Sequence, residues 1–191
     1  MSVIIALKNK EGVILGADKQ STRGDSALNT TKIKQMEYSK IGIGTAGYTR
    51  DGNILCCTEE IINYGDIIKK IDIDFRYVVN NIVPTLFNIF RANKRIILNE
   101  GIEYFKSEFL LVTNDKIFNI FGDGAVLEDD TYGVIGCGED NIYGYLDTIP
   151  NIESLTMKES EKIIEKAIRL ACKKDIYIND NIDIIKLYKE K

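Results

Sequence analysis

Residues 2–18 read Ser2-Val3-Ile4-Ile5-Ala6-Leu7-Lys8-Asn9-Lys10-Glu11-Gly12-Val13-Ile14-Leu15-Gly16-Ala17-Asp18. Two apolar, β-rich runs, 3–8 and 13–17, flank the turn-forming Asn9-Lys10-Glu11-Gly12, and Asp18 closes the second run. This arrangement predicts a hairpin. A strand with one wet face alternates apolar and polar residues with period two. Neither run alternates cleanly, so both strands are expected to be covered on both faces. A hairpin buried on both faces needs material above and below it, and that requirement frames the rest of the chain.

A second strand pair is expected at 34–38 and 41–46, with Glu37-Tyr38-Ser39-Lys40 near its turn. Helical spacing follows over 53–70, through Ile54, Leu55, Ile61, Ile62 and Ile68. It is clearer in Val79, Ile82, Val83, Leu86, Phe87 and Phe90, at i, i+3, i+4, i+7, i+8 and i+11. Pro84 lies inside that pattern and predicts a kink or a later helix start. Strands then return at 108–113 and 116–121 about Asn114-Asp115, and at 132–135. Helical pattern resumes after Gly138 and is strongest where Thr156 and Glu159 form a capping-box pair ahead of Ile163, Ile164, Ala167, Ile168 and Ala171. The stretch 182–187 reads as a final strand. Hairpin-linked strands imply antiparallel sheets, not the one-strand-one-helix alternation of a doubly wound fold. The expected class is therefore α/β (α+β), with two mainly antiparallel sheets packed together and helix pairs outside. Only two prolines occur and no Pro/Gly/Ser-rich linker interrupts the chain, so residues 1–191 are expected to form a single domain.

Apolar residues make up 45% and charged residues 28% of the 191, ordinary usage for a soluble globular protein. With a net charge of −4, the pairs Lys69–Lys70 and Lys173–Lys174 read as solvated helix faces, and no nucleic-acid partner is expected. The apolar run at 3–7 is too short for a signal segment or a membrane span, which points to the cytosol. Cys56, Cys57, Cys137 and Cys172 contain no C-x-x-C pair, so they read as free thiols and no metal site is expected. The chain has no histidine. Ser-His-Asp triads, Cys-His pairs and His-ligated metals are excluded together. Acid–base chemistry must come from carboxylates, Lys, Tyr, Cys or the chain's own amino terminus.

Gly42-Ile43-Gly44-Thr45-Ala46-Gly47 matches G-x-G-x-x-G, so a dinucleotide-binding oxidoreductase has to be weighed. The motif follows a hairpin-like pair instead of sitting in a βαβ unit, and about twenty residues on the chain is helical where an acid should end a strand. No cofactor is expected. A second cluster, Gly133-Val134-Ile135-Gly136-Cys137-Gly138, also joins a strand to a helix. Both read as tight turns with backbone amides exposed at a sheet edge, which leaves an oxyanion role open for one amide.

Several of these segments together resemble one family. Ser2-Val3-Ile4-Ile5-Ala6-Leu7, Gly12 to Asp18, Lys32-Ile33-Lys34 and Gly44-Thr45-Ala46-Gly47 look like proteasome β-subunits and their bacterial HslV-type relatives. The likeness resumes at Gly136-Cys137-Gly138 with Tyr143-Gly144-Tyr145-Leu146-Asp147, and again at Asp175-Ile176-Tyr177. The resemblance implies a four-layer αββα N-terminal-nucleophile hydrolase. It places Ser2 where the family has its N-terminal threonine, Asp18 and Lys34 at the catalytic Asp and Lys, and Gly47 at the oxyanion amide. Cys137 falls where a serine usually stands near the amino terminus, and Asp175 matches the acid supporting it. Ile178 occupies a position usually Ser or Thr. Carried-over pocket positions are Ser21, Lys32, Thr45 and Thr49, a polar set. The family further implies a homo-oligomeric ring, a peptide or unfolded-protein substrate and an ATPase partner. The serine nucleophile and the Cys137 and Ile178 replacements keep two functions open: a peptidase, or a catalytically silent ring subunit. The chemistry is self-consistent without histidine. An α-amine has a reference pKa of about 7.7–8.0, so after removal of Met1 it offers a neutral base beside the Ser2 hydroxyl. A nearby lysine cation would favour that neutral form.

Overall fold

The computed structural model describes residues 2–23, 26–37, 40–59 and 61–190. β1 (Val3–Asn9) and β2 (Gly12–Asp18) form the expected hairpin, with Ile4 opposite Ala17 and Asn9 opposite Gly12. Asn9 builds the turn: its Oδ1 accepts from the N–H groups of Glu11 and Gly12, at 2.8 and 3.0 Å. β3 (Gln20–Arg23) and β4 (Ser26–Asn29) make a small separate hairpin, short and polar enough to leave no pattern in the sequence. β5 (Ile33–Gln35) and β6 (Gly42–Ala46) are the second expected pair. Tyr38 and Ser39, expected near the turn between them, lie outside the described residues.

The helical stretch expected at 53–70 is two helices, α1 (Thr49–Cys56) and α2 (Tyr64–Ile68). The Asn63 side chain accepts from the Gly65 N–H at 2.8 Å and restarts the helix there. α3 (Phe75–Tyr77), capped by Asp74, passes through a wide π turn, Val78–Ile82, into α4 (Val83–Ala92). Pro84 has no N–H to give and crowds the preceding turn, and the widened turn beside it absorbs the mismatch. The helix therefore begins earlier than the proline suggests. After a second small hairpin, β7 (Ile96–Asn99) and β8 (Ile102–Phe105), come β9 (Glu108–Val112), β10 (Ile117–Ile120), β11 (Val126–Asp129) and β12 (Tyr132–Gly136). α5 (Glu139–Leu146), α6 (Met157–Cys172) and β13 (Ile182–Tyr188) complete the described chain. Both halves of the Thr156–Glu159 capping box are formed.

One sheet runs β12-β1-β2-β13 and the other β11-β10-β9-β6-β5, each antiparallel throughout. Alternate residues of the central strands enter different apolar clusters. From β1, Val3, Ile5 and Leu7 pack with Ile142, Ile164 and Ile168 of α5 and α6, while Ile4 and Ala6 pack with Leu110, Val112 and Ile117 of the other sheet. From β9, Phe109 and Leu111 meet Leu86 and Phe90 of α4. This is why the first strands do not alternate in polarity: neither face is wet. Each such Val, Leu, Ile or Phe side chain, fully buried, stabilises the fold by about 1.5–3 kcal/mol. Gly42 and Gly44 lie inside β6, not in a phosphate-binding turn, and a Cβ on Gly44 would come within 2.7 Å of Ile4 Cγ2. The glycine motif serves close approach of the two sheets.

Candidate active site

The hairpin register brings the start of β1 beside the end of β2. Asp18 is fully buried and accepts three hydrogen bonds: Val3 N–H to Oδ1 at 2.9 Å, Gln20 N–H to Oδ2 at 2.9 Å, and Lys32 Nζ to Oδ1 at 2.7 Å. The first of these ties the carboxylate to the residue after Ser2, which is itself buried. Lys32 precedes β5, and its carbonyl accepts from Thr45 N–H at 3.0 Å, so β6 holds its backbone. Burial lowers the Lys32 pKa; the Asp18 charge and hydrogen bond oppose that fall without cancelling it.

The expected Asp18–Lys34 pair is not made. Lys34 Nζ donates to the Thr58 carbonyl at 3.3 Å and pairs with Glu59, away from Asp18. Lys32 takes the expected place instead. Placing the lysine by resemblance across the β3–β4 hairpin assumed a fixed length for a surface connection that is free to vary. Anchoring on the strand beyond it, where Ile33 enters the inter-sheet core opposite Gly44, points to the lysine that pairs with Asp18.

The amino-terminal strand is fixed on its other side by β12. Cys137 N–H donates to the Ser2 carbonyl at 2.9 Å, and the Cys137 thiol reaches the same oxygen at 3.3 Å. Gly136 permits this approach: its φ is +100°, and a Cβ there would sit 2.0 Å from the Ser2 carbonyl oxygen. Burial first, and then Asp175, push the Cys137 thiol up to about 11. It is a protonated donor near neutral pH, not a thiolate. Asp175 accepts from Tyr177 N–H at 2.8 Å. Ile178 is buried in the cluster under α5 and α6 and offers no hydroxyl.

Ser2, Lys32 and Gly47 open onto one cleft of about 370 Å³. Its remaining walls include Gln20, Ser21, Thr22, Thr31, Thr45 and Thr49, with Ser21 Oγ and Thr49 Oγ1 hydrogen-bonded at 2.7 Å. The four positions expected to form a polar pocket, Ser21, Lys32, Thr45 and Thr49, all line it. Of the six site residues expected from sequence, the structure thus gathers Ser2, Asp18 and Gly47, with Cys137 and Asp175 behind Ser2, and leaves Lys34 outside. Met1 lies outside the described residues. Among the described residues no group of His, Cys, Asp and Glu could hold a metal ion, and no helix is long and apolar enough to cross a membrane.

The family described as "Proteasome subunit" matches residues 2–187. The ATP-dependent protease subunit HslV of Sulfurimonas denitrificans is 28% identical over 197 residues, spanning 100% of this chain and 97% of that protein. The subunits of the same name from Campylobacter concisus and Aliarcobacter butzleri are 24% and 25% identical, covering 95% and 97% of the chain and 94% and 97% of their own lengths.

Proposed function

Because the chain belongs to the proteasome subunit family, of the β and HslV-like N-terminal-nucleophile type, we propose that it is a peptidase subunit whose nucleophile is Ser2, freed by removal of Met1. The observation that carries this reading is the buried Asp18–Lys32 ion pair beside Ser2 at the edge of a polar cleft. The three apolar clusters support a four-layer αββα sandwich, whose seams they would be.

In this reading the Ser2 α-amine is the base. Lys32, held cationic by Asp18, keeps that amine neutral by charge repulsion. The amine takes the Ser2 hydroxyl proton as Oγ attacks the scissile carbonyl carbon. The carbonyl π electrons move to oxygen, and the Gly47 N–H donates to the oxyanion. Collapse of the intermediate breaks the C–N bond, and the ammonium returns its proton to the departing amine. An ester on Ser2 remains. Water, losing a proton to the same amine, then releases the carboxylic acid and restores the hydroxyl. No histidine enters any step.

The HslV relatives bear the name of an ATP-dependent protease subunit. By that likeness this chain works in the cytosol as a ring of identical subunits, on peptides or unfolded chains, beside an ATPase partner. A silent ring subunit is the second reading, favoured by the Cys137 thiol and the buried Ile178 where the family usually has hydroxyls. The test purifies the Met1-bearing and Met1-free forms, identified by intact mass, and treats each with a peptide electrophile directed at Ser/Thr nucleophiles. Labelling of Ser2 in the Met1-free form alone supports the peptidase. Equal turnover by both forms, or full activity in Ser2→Ala, removes Ser2 from the mechanism.

A further inference from the structure

Behind Gly47 lies a chain of buried polar contacts that never reaches the cleft's reacting groups. Tyr48 N–H donates to Ser107 Oγ at 3.0 Å, and the Ser107 hydroxyl donates to Asp51 Oδ2 at 2.7 Å. Arg95 Nε donates to the other oxygen of Asp51, and its guanidinium lies 5.0 Å from the centre of the Tyr48 ring. Asp51 is fully buried and Ser107 nearly so. The members come from three segments: the start of α1, the residue before β9, and the connection from α4 to β7. A buried ion pair is a costly device where apolar packing would serve, because desolvating two charges offsets much of their attraction.

The geometry gives that cost a use. Gly47 sits between two fixed points. On one side Ala46 is paired in the sheet with Glu108. On the other, the 47–48 peptide plane is pinned by Tyr48 N–H on Ser107. Peptide planes are rigid, so only the two dihedrals of Gly47 lie between them. Its φ is +140°, and a Cβ would meet Ser107 Oγ at 2.3 Å, so Ser107 occupies the space that a side chain would need. With both neighbours held, the direction of the Gly47 N–H is determined.

We propose that Ser107, Asp51 and Arg95 are positioning residues that aim the Gly47 N–H into the cleft beside Ser2. This rests on the reading of Ser2 as nucleophile and of Gly47 as the oxyanion donor. A misplacement of about 1 Å can cost about a hundredfold in rate. In Met1-free protein, Ser107→Ala should therefore lower kcat on an activated peptide substrate by about ten- to a hundredfold, with KM within threefold. Affinity for a peptide aldehyde, whose adduct carries the tetrahedral oxyanion, should weaken in proportion; affinity for the matching peptide alcohol should not. Asp51→Asn keeps an acceptor for Ser107 but loses the Arg95 charge pair, and should show a smaller loss of the same kind, serving also if Ser107→Ala fails to fold. Melting temperatures that fall while kcat per folded molecule and aldehyde affinity stay at wild-type values would overturn the proposal. A wild type that neither turns over nor labels at Ser2 fails at the nucleophile reading first, and takes this proposal with it.

Discussion

Two lysines two residues apart enter opposite kinds of ion pair. Lys32 meets Asp18 where side-chain exposure is 6% and 0%; Lys34 meets Glu59 at 17% and 37%. The sequence writes both as Lys, and both pairs are a cation beside a carboxylate. Water separates them. At Glu59 solvent screens the attraction and can replace either partner. Asp18 is closed to solvent, so its carboxylate depends on Lys32 and on the N–H groups of Val3 and Gln20. In the proposed mechanism the buried pair is the one that acts on the Ser2 amine. The exposed one joins β5 to the segment after α1.

The largest effect expected from this contrast is on Lys32→Ala. Removing one partner of a buried pair leaves the other charged and unpaired, at about 3–5 kcal/mol. Losing the cation that supports a positioned base should cost about a hundred- to ten-thousandfold in turnover. Urea unfolding and burst kinetics on the Met1-free protein measure the two losses. Near-wild-type values for both would break the distinction between the lysines.

A second effect concerns the cleft that Lys32 borders and Lys34 does not. With Ser21, Thr45 and Thr49 in its lining, a peptide series should favour small polar side chains before the scissile bond over bulky apolar ones. Thr49→Val should narrow that preference by about tenfold, the scale of one group in a pocket. Fastest cleavage after large hydrophobic residues in the wild type would contradict the pocket assignment.

Asp18→Asn tests the pair from its other end and through pH. Burial already holds the Lys32 pKa below its ordinary 10.5. A folded-state pKa below the unfolded one means that the unfolded chain binds more protons in between, so stability rises with pH across that window. Without the Asp18 charge the folded pKa falls further and the window widens downward. The stability deficit of Asp18→Asn should therefore shrink between pH 7 and pH 10 in urea titrations. A deficit constant across that range would mean that Lys32 does not titrate with the pair.

The smallest effect belongs to Lys34→Ala, at below about 1 kcal/mol for an exposed pair, with turnover within threefold of wild type. Its pH signature is opposite in origin. The Lys34 hydrogen bond lowers the Glu59 pKa from 4.5, so the contribution is present above that value and lost as acid protonates the carboxylate. The difference between variant and wild type should shrink as the pH falls below 4.5 and vanish once it has passed the lowered folded-state value. A large loss of activity in Lys34→Ala would restore it to the mechanism.

Which of these features the sequence discloses follows from where each residue's surroundings come from. The β1–β2 hairpin is legible because Val3 to Leu7 and Val13 to Ala17 are apolar on both faces, and that pattern already demands two covering layers. α6 is legible from its capping box and its apolar stripe. β3 and β4 are short and polar, and β7 and β8 project exposed Ile97, Leu98 and Ile102, so neither hairpin carries a burial signal. The break between α1 and α2 depends on one Asn63 side chain, which local spacing does not reveal. Ser2, Asp18 and Gly47 are legible as strand ends and a turn. Lys32 is not, because its role is set by a contact across fourteen residues that include a loop of arbitrary length.

The order β12-β1-β2-β13 has a consequence for how the molecule comes into being. β2 waits for β13: Gly12 faces Asn9 across the hairpin, and on the other edge of the strand it meets Tyr188. During synthesis the outer edge of β2 stays unpaired until residues 182–188 have emerged, and an open apolar edge is a template for aggregation. Contacts between segments so far apart along the chain also close slowly. Asp18, at the end of β2 and opposite Ile182, completes its surroundings in that same late step. The surroundings of Asp18 are therefore completed by residues 182–188, and a growing chain has no finished Asp18 environment before they emerge.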